Sequence, residues 1–181
     1  MHVSTGIAWD PHEDNKLYYI DARAQKILLF AYDESTRKVT GSANVVFDLN
    51  VWHQSLPQPL YSGHATLGRM TIDRRARLWV PLNGGSHVLE IDPRGINKVL
   101  GFIQLKAAKL NACVFGGVPE NILYVSSMPY APNEASPAND EGGKIFAVSN
   151  LGVDVIGYRS CNFDWPNPPP KEPTPRSRYR W

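Results

Sequence analysis

Five histidines, His2, His12, His53, His64 and His87, are the side chains of this 181-residue sequence best suited to acid–base work or metal ligation near neutral pH. None stands in an HExxH or HxH spacing, and none joins a serine or cysteine in a nucleophile motif. His53 and His64 share one long loop and are expected to be solvated rather than a metal pair. The carboxylates Asp21, Asp48, Asp73 and Asp92 follow apolar runs, where an aspartate caps a turn by accepting backbone N–H groups. Glu134, Asp140 and Glu141 lack the alternating spacing of a calcium loop and read as a solvated loop. Gly116-Gly117 and Gly142-Gly143 lack the strand–turn–helix context of a phosphate loop and read as turns. Cys113 and Cys161 have no CxxC or Cys/His spacing, so buried or free thiols are expected. Near the C-terminus, Pro166, Pro169 and Lys171 match PxxPx(K/R), a pattern that a polyproline-binding groove reads.

The elements that must position these residues are short strands. With 43% apolar and 20% charged residues, the composition is that of a soluble globular domain. No apolar run reaches the roughly 20 residues of a membrane span, and the N-terminus lacks the regions of a secretory signal. The expectation is a non-membrane, cytoplasmic chain. Of the net charge of +2, residues 166–181 supply +3 and residues 1–165 supply −1. A nearly neutral body offers no electrostatic footprint for nucleic acid.

No stretch keeps helical periodicity for ten residues, and the strand candidates fall into three groups. The first is Gly6–Trp9, Lys16–Asp21, Lys26–Tyr32 and Asn44–Leu49; the second is Arg69–Asp73, Arg77–Val80, His87–Asp92 and Val99–Leu105. The third is Ala112–Phe115, Ile122–Val125, Lys144–Val148 and Val153–Ile156. Asn83-Gly84, between the second and third strands of the second group, is a hairpin signal because both residues tolerate positive φ. With the groups aligned on their second strands, Leu17-Tyr18-Tyr19, Leu78-Trp79-Val80 and Leu123-Tyr124-Val125 coincide, at spacings of 61 and 45 residues. Four-strand repeats at such spacing are the pattern of propeller blades, here about 4–50, 68–106 and 110–158. Loops Asn50–Leu67 and Ser127–Gly143 are the insertions. The predicted fold is all-β, with a domain over 1–160 and a disordered, basic, Pro-rich tail over 161–181; six of the 15 prolines lie in its last 16 residues.

The repeats carry a family resemblance. Ser4-Thr5-Gly6-Ile7-Ala8-Trp9, Tyr18-Tyr19-Ile20-Asp21 and Phe30-Ala31-Tyr32-Asp33 resemble the "SNGLAWS", "YYID" and "F-x-YD" stretches of the senescence marker protein (regucalcin)/gluconolactonase/luciferin-regenerating-enzyme family. Met70-Thr71-Ile72-Asp73, Leu78-Trp79-Val80, Asn83-Gly84-Gly85 and Ile91-Asp92-Pro93 are similar to its "DGMCID", "LWVA", "NGG" and "LDP". Cys113-Val114-Phe115-Gly116-Gly117, Leu123-Tyr124-Val125-Ser126-Ser127 and Gly143-Lys144-Ile145-Phe146 are similar to its "CCFGG", "LYVTSA" and "GxIF".

The resemblance implies a six-bladed propeller with one axial divalent cation, calcium or zinc, and metal-dependent hydrolysis of sugar lactones. The three repeats correspond to its C-terminal half. Its ligands are a glutamate upstream of the matched region, the Asn of "SNG" and the Asp of "DGM". Thr5 and Gly68 occupy the last two positions, and Arg69 stands beside Gly68. No carboxylate or carboxamide remains at either, so the hard-cation site is not encoded and no catalytic residue is assigned. The expected function is a truncated or non-catalytic member; the alternative is an active gluconolactonase within a longer or dimeric assembly. A half-propeller also leaves its first and last blades with apolar faces to cover, which predicts a homodimer or another completing partner, or poor solubility.

Overall fold

A computed structural model describes residues 4–159. Alternation of apolar and polar residues sets the strands, and short turns between them fix antiparallel pairing. The first sheet has the order β1-β2-β3-β4, from β1 (Ser4–Trp9), β2 (Lys16–Asp21), β3 (Lys26–Asp33) and β4 (Lys38–Asp48). Helix α1 (Leu49–Ser55) then leads into the second sheet, built from β5 (Thr66–Leu67), β6 (Thr71–Ile72), β7 (Leu78–Asn83), β8 (His87–Ile91) and β9 (Val99–Gln104). In that sheet β5 and β6 both pair with β7, and β8 and β9 follow outward. The third sheet has the order β10-β11-β12, from β10 (Leu110–Gly116), β11 (Ile122–Ser127) and β12 (Ile145–Val148). The chain is all-β apart from one helix among the described residues.

Two cores hold the sheets together. Ala8, Tyr18, Ile20, Ile27 and Phe47 of the first sheet pack against Leu67, Met70, Leu78, Val80, Leu89 and Ile91 of the second. On the other face of the second sheet, Trp79 and Val88 pack against Leu110, Cys113, Phe115, Leu123 and Val125 of the third. The middle sheet is therefore covered on both sides. That explains the unbroken burial of Leu78-Trp79-Val80-Pro81-Leu82, which a one-sided sheet would interrupt at every second residue.

Four expectations change. The loop expected at Asn50–Leu67 opens with α1, whose N-cap Asp48 accepts the Val51 N–H at 3.1 Å and which buries Leu49 and Trp52. The fourth strand of the first group begins at Lys38, not Asn44, because backbone pairing with β3 carries it through a stretch exposed on both faces. The tight turn lies at Gly84–Ser86: Asn83 stays in β7, while Gly84 and Ser86 take φ of 96° and 56°. Val153–Ile156 is not a strand. Gly152, at φ 131°, starts a turn there; Val155 is buried in the second core, and the Ile156 carbonyl accepts the Arg74 N–H at 2.9 Å. The third sheet thus has three strands and the second has five, in place of four in each. The Pro166, Pro169 and Lys171 motif lies outside the described residues.

Candidate functional site

The innermost strand of every sheet carries one residue more than its partner at the same height. In β1, Ser4 faces Asp21 and Gly6 faces Ile20, which makes Thr5 the extra residue. In β10, Leu110 faces Ser127 and Ala112 faces Ser126, which makes Asn111 the extra residue. In the middle sheet Leu67 faces Leu82 and Thr71 faces Trp79, so the extra residue lies within 68–70 and splits the inner strand into β5 and β6. A bulge of this kind bends a strand and re-aims side chains, and bulges gather beside functional sites.

The bulge of the middle sheet touches the other two. The Thr5 hydroxyl donates to the Leu67 carbonyl at 3.1 Å. Gly68 donates its N–H to Pro81 at 2.8 Å, and Arg69 donates its N–H to the Asn111 carbonyl, also at 2.8 Å. The Leu67 N–H is held at 2.9 Å by the side-chain carbonyl of buried Gln25. Thr5 and Gly68, singled out on the sequence, are thus brought into one cluster. Asn111 and Gln25 were missed. Asn111 shows only once the bulges are compared, and Gln25 carries no sequence signal.

These residues do not fit a divalent cation, which needs several unencumbered oxygen ligands, usually with carboxylates among them. The cluster offers only neutral oxygens, the Thr5 hydroxyl and the Leu67, Pro81 and Asn111 carbonyls, each already in one hydrogen bond, and no carboxylate. Gly68 offers no side chain and no space for one: a Cβ there would lie 2.5 Å from the Asn111 carbonyl oxygen and 3.0 Å from that of Pro81. Exposed Arg69 adds a positive charge beside the cluster. Among the described residues no group of three or more His, Cys, Asp or Glu side chains is placed to hold a metal.

Most of the other chemistry-bearing residues have structural partners, although the Nε2 of half-buried His53, in α1, is buried with no hydrogen-bond partner. Asp21, Asp48, Asp73 and Asp92 each accept backbone N–H groups from residues two to four positions on, as their strand-end positions predict. Asp73 also takes the Trp79 indole N–H at 3.1 Å and the Arg77 guanidinium at 2.6 Å, and Arg77 reaches Glu90 at 2.8 Å. Burial raises the Glu90 pKa against the pull of that guanidinium. His53 stacks on Tyr61 with ring centroids 4.0 Å apart, while His64 lies in the loop beside Gly84. His87 is buried against Phe102, and burial lowers its pKa. In the 128–143 loop, Glu134 pairs with Lys109, Glu141 with Lys144, and Asp140 accepts the Ala108 N–H at 2.7 Å. Asp140 therefore anchors a loop that the sequence left solvated. Cys113 is a buried thiol pushed up to about 12 by burial, and so inert; Cys161 lies outside the described residues.

Stacked antiparallel sheets with bulged inner strands side by side are the architecture of a β-propeller, and known proteins make the class specific. The SMP-30/Gluconolactonase/LRE-like region matches residues 1–129, and the chain belongs to that family. YvrE of Bacillus subtilis, whose name places it with the sugar lactone lactonases, is 34% identical over 90% of this chain and 50% of its own length. Regucalcin of Danio rerio is 31% identical over 86% of this chain and 48% of its own. The chain spans about half the length of these relatives. Among solved structures, a luciferin-regenerating enzyme superposes with a TM-score of 0.73 at 23% identity, over 86% of this chain and 47% of that one. A calcium-binding regucalcin from Agrobacterium tumefaciens gives 0.65 at 20% identity, over 86% of this chain and 48% of that one. No helix among the described residues is long and apolar enough to cross a membrane.

Proposed function

We propose that this chain is a non-catalytic member of the SMP-30/gluconolactonase family, a set of propeller sheets that does not open sugar lactones by itself. One observation carries this reading. At the position where the family resemblance implies an aspartate ligand, Gly68 packs too closely on Asn111 and Pro81 for any side chain. A Lewis-acid mechanism needs a cation held where it can polarise the lactone carbonyl, and a carboxylate to help activate water. Thr5 supplies only a neutral hydroxyl and Arg69 a positive charge, so neither supplies the carboxylate.

The purified chain incubated with a gluconolactone and calcium, zinc or manganese is expected to open the ring at the background rate. It is also expected to show no saturable calcium or zinc binding by calorimetry. Metal-dependent turnover above background overturns the reading. A second reading, an active lactonase within a longer product, draws on the half-length match to the relatives. It requires an in-frame upstream sequence that supplies further sheets and an acidic ligand.

A further inference from the structure

Among the described residues, the first and third sheets each leave one apolar face uncovered. On the third sheet that face holds Val114, Tyr124 and Ile145, and Val114 and Ile145 are 55% and 73% exposed. On the first sheet it holds Ile7, Trp9, Tyr19, Leu28, Phe30 and Val45, with Ile7 and Trp9 56% and 46% exposed. Patches of this kind on a monomer mark an interaction surface.

The repeat itself shows what fits them. Tyr18, Trp79 and Tyr124 occupy the same position of their second strands. Tyr18 and Trp79 each point at the next sheet and are only 2% exposed there, in the first and second cores respectively. Both are also fixed by an aspartate just past the inner strand. Tyr18 donates to Asp10 at 2.9 Å and Trp79 to Asp73 at 3.1 Å. Tyr124 points the same way but meets no further sheet among the described residues, and Gly117 stands where the aspartate would be.

On the opposite side of the same strands, Val80 and Val125 face the preceding sheet and are fully buried. Tyr19, their equivalent, faces no sheet among the described residues. The two open faces are therefore the two halves of a joint that the chain already makes twice within itself. The Tyr124 face holds a concavity of about 420 Å³ whose floor includes small Ala112 and Ser126 and whose lining takes in Arg69 and Met70, while the Tyr19 face presents Trp9 and Phe30.

We propose that two copies of this chain close into a ring, the Tyr124 face of each seated on the Tyr19 face of the other. The chain spans about half the length of its relatives, and two copies related by a two-fold axis would close the circuit with two identical joints. The inference is independent of the catalytic reading. A second copy brings a second Thr5 and a second Gly68, and no new carboxylate at either position.

Light scattering and sedimentation of the full chain across a concentration series test it. The expected mass is that of two chains. Val114→Arg and Ile7→Arg, both at exposed positions, should each raise the dimer dissociation constant by about 30-fold or more, the loss expected of an interface anchor. Ile96→Arg, 80% exposed in the turn between β8 and β9, should leave it unchanged. Mixing the Val114→Arg and Ile7→Arg variants should restore a dimer through the one joint left intact; circular dichroism confirms that each variant is folded. A monomer at every concentration overturns the proposal, as does a dimer that survives both variants or is lost in only one. A monomer with both faces protected from hydrogen exchange would put residues 160–181 or another polypeptide there, and would overturn it equally.

Discussion

Asp92, at the end of β8, shows how a strand-end carboxylate serves the fold. The Arg94 side chain bonds it at 2.7 Å and Lys98 at 2.9 Å, and these partners hold its pKa down at about 2 against burial. A carboxyl with a folded pKa below its unfolded value of 3.8 stabilises the protein above about pH 4, and that contribution is lost as the pH falls towards 2. Asp92→Asn is expected to cost about 1–2 kcal/mol at pH 7, since both partner side chains are largely exposed and screened. It should also flatten the stability profile between pH 4 and 2; urea unfolding at several pH values measures both effects. Capping by Asp21, Asp48, Asp73 and Asp92 was legible because a short acceptor after a strand meets the next N–H groups whatever lies further away. The tie between Asp73 and Trp79 was not, because it depends on how far Trp79 turns into the second core.

At the scale of elements, most strands with alternating or continuous apolar residues were legible to within a residue or two, β2 among them, although β7 runs on to Asn83, three residues past Val80. Those without that pattern were not. The outer part of β4 is held by pairing with β3 alone, and α1 is too short to show a period. Val153–Ile156 looks like a strand because Val153, Val155 and Ile156 are β-formers. In the fold this segment crosses the ends of the second and third sheets. Gly157 donates to the Glu120 carbonyl at 2.8 Å, and a Cβ on it would overlap the Phe115 side chain. Gly157→Ala is expected to lift this segment off the second core and cost about 1–3 kcal/mol. The readouts are chemical denaturation and faster amide exchange at Val155.

At the scale of the whole molecule, the middle sheet alone is covered on both faces among the described residues. Amides of β7 and β8 are therefore expected to exchange last, and those of β12 and the 128–143 loop first; hydrogen exchange read by mass spectrometry checks the order. If the two-copy ring forms, β10 and β11 should become slower above its dissociation constant. The sequence by itself determined the all-β class, the threefold repeat, the family and the side-chain types at positions 5 and 68. The class and the repeat follow from local periodicity, the family from the resemblance of its motifs, and the side chains at 5 and 68 from residue identity. Only the tertiary structure decided that Thr5, Gly68 and Asn111 fall at or beside matching bulges, that the Thr5 hydroxyl is taken by Leu67, and that Gly68 has no room for a ligand. A bulge is a difference in register between two strands, and the space at a glycine is set by backbone more than 40 residues away, so neither is written in any one stretch of chain.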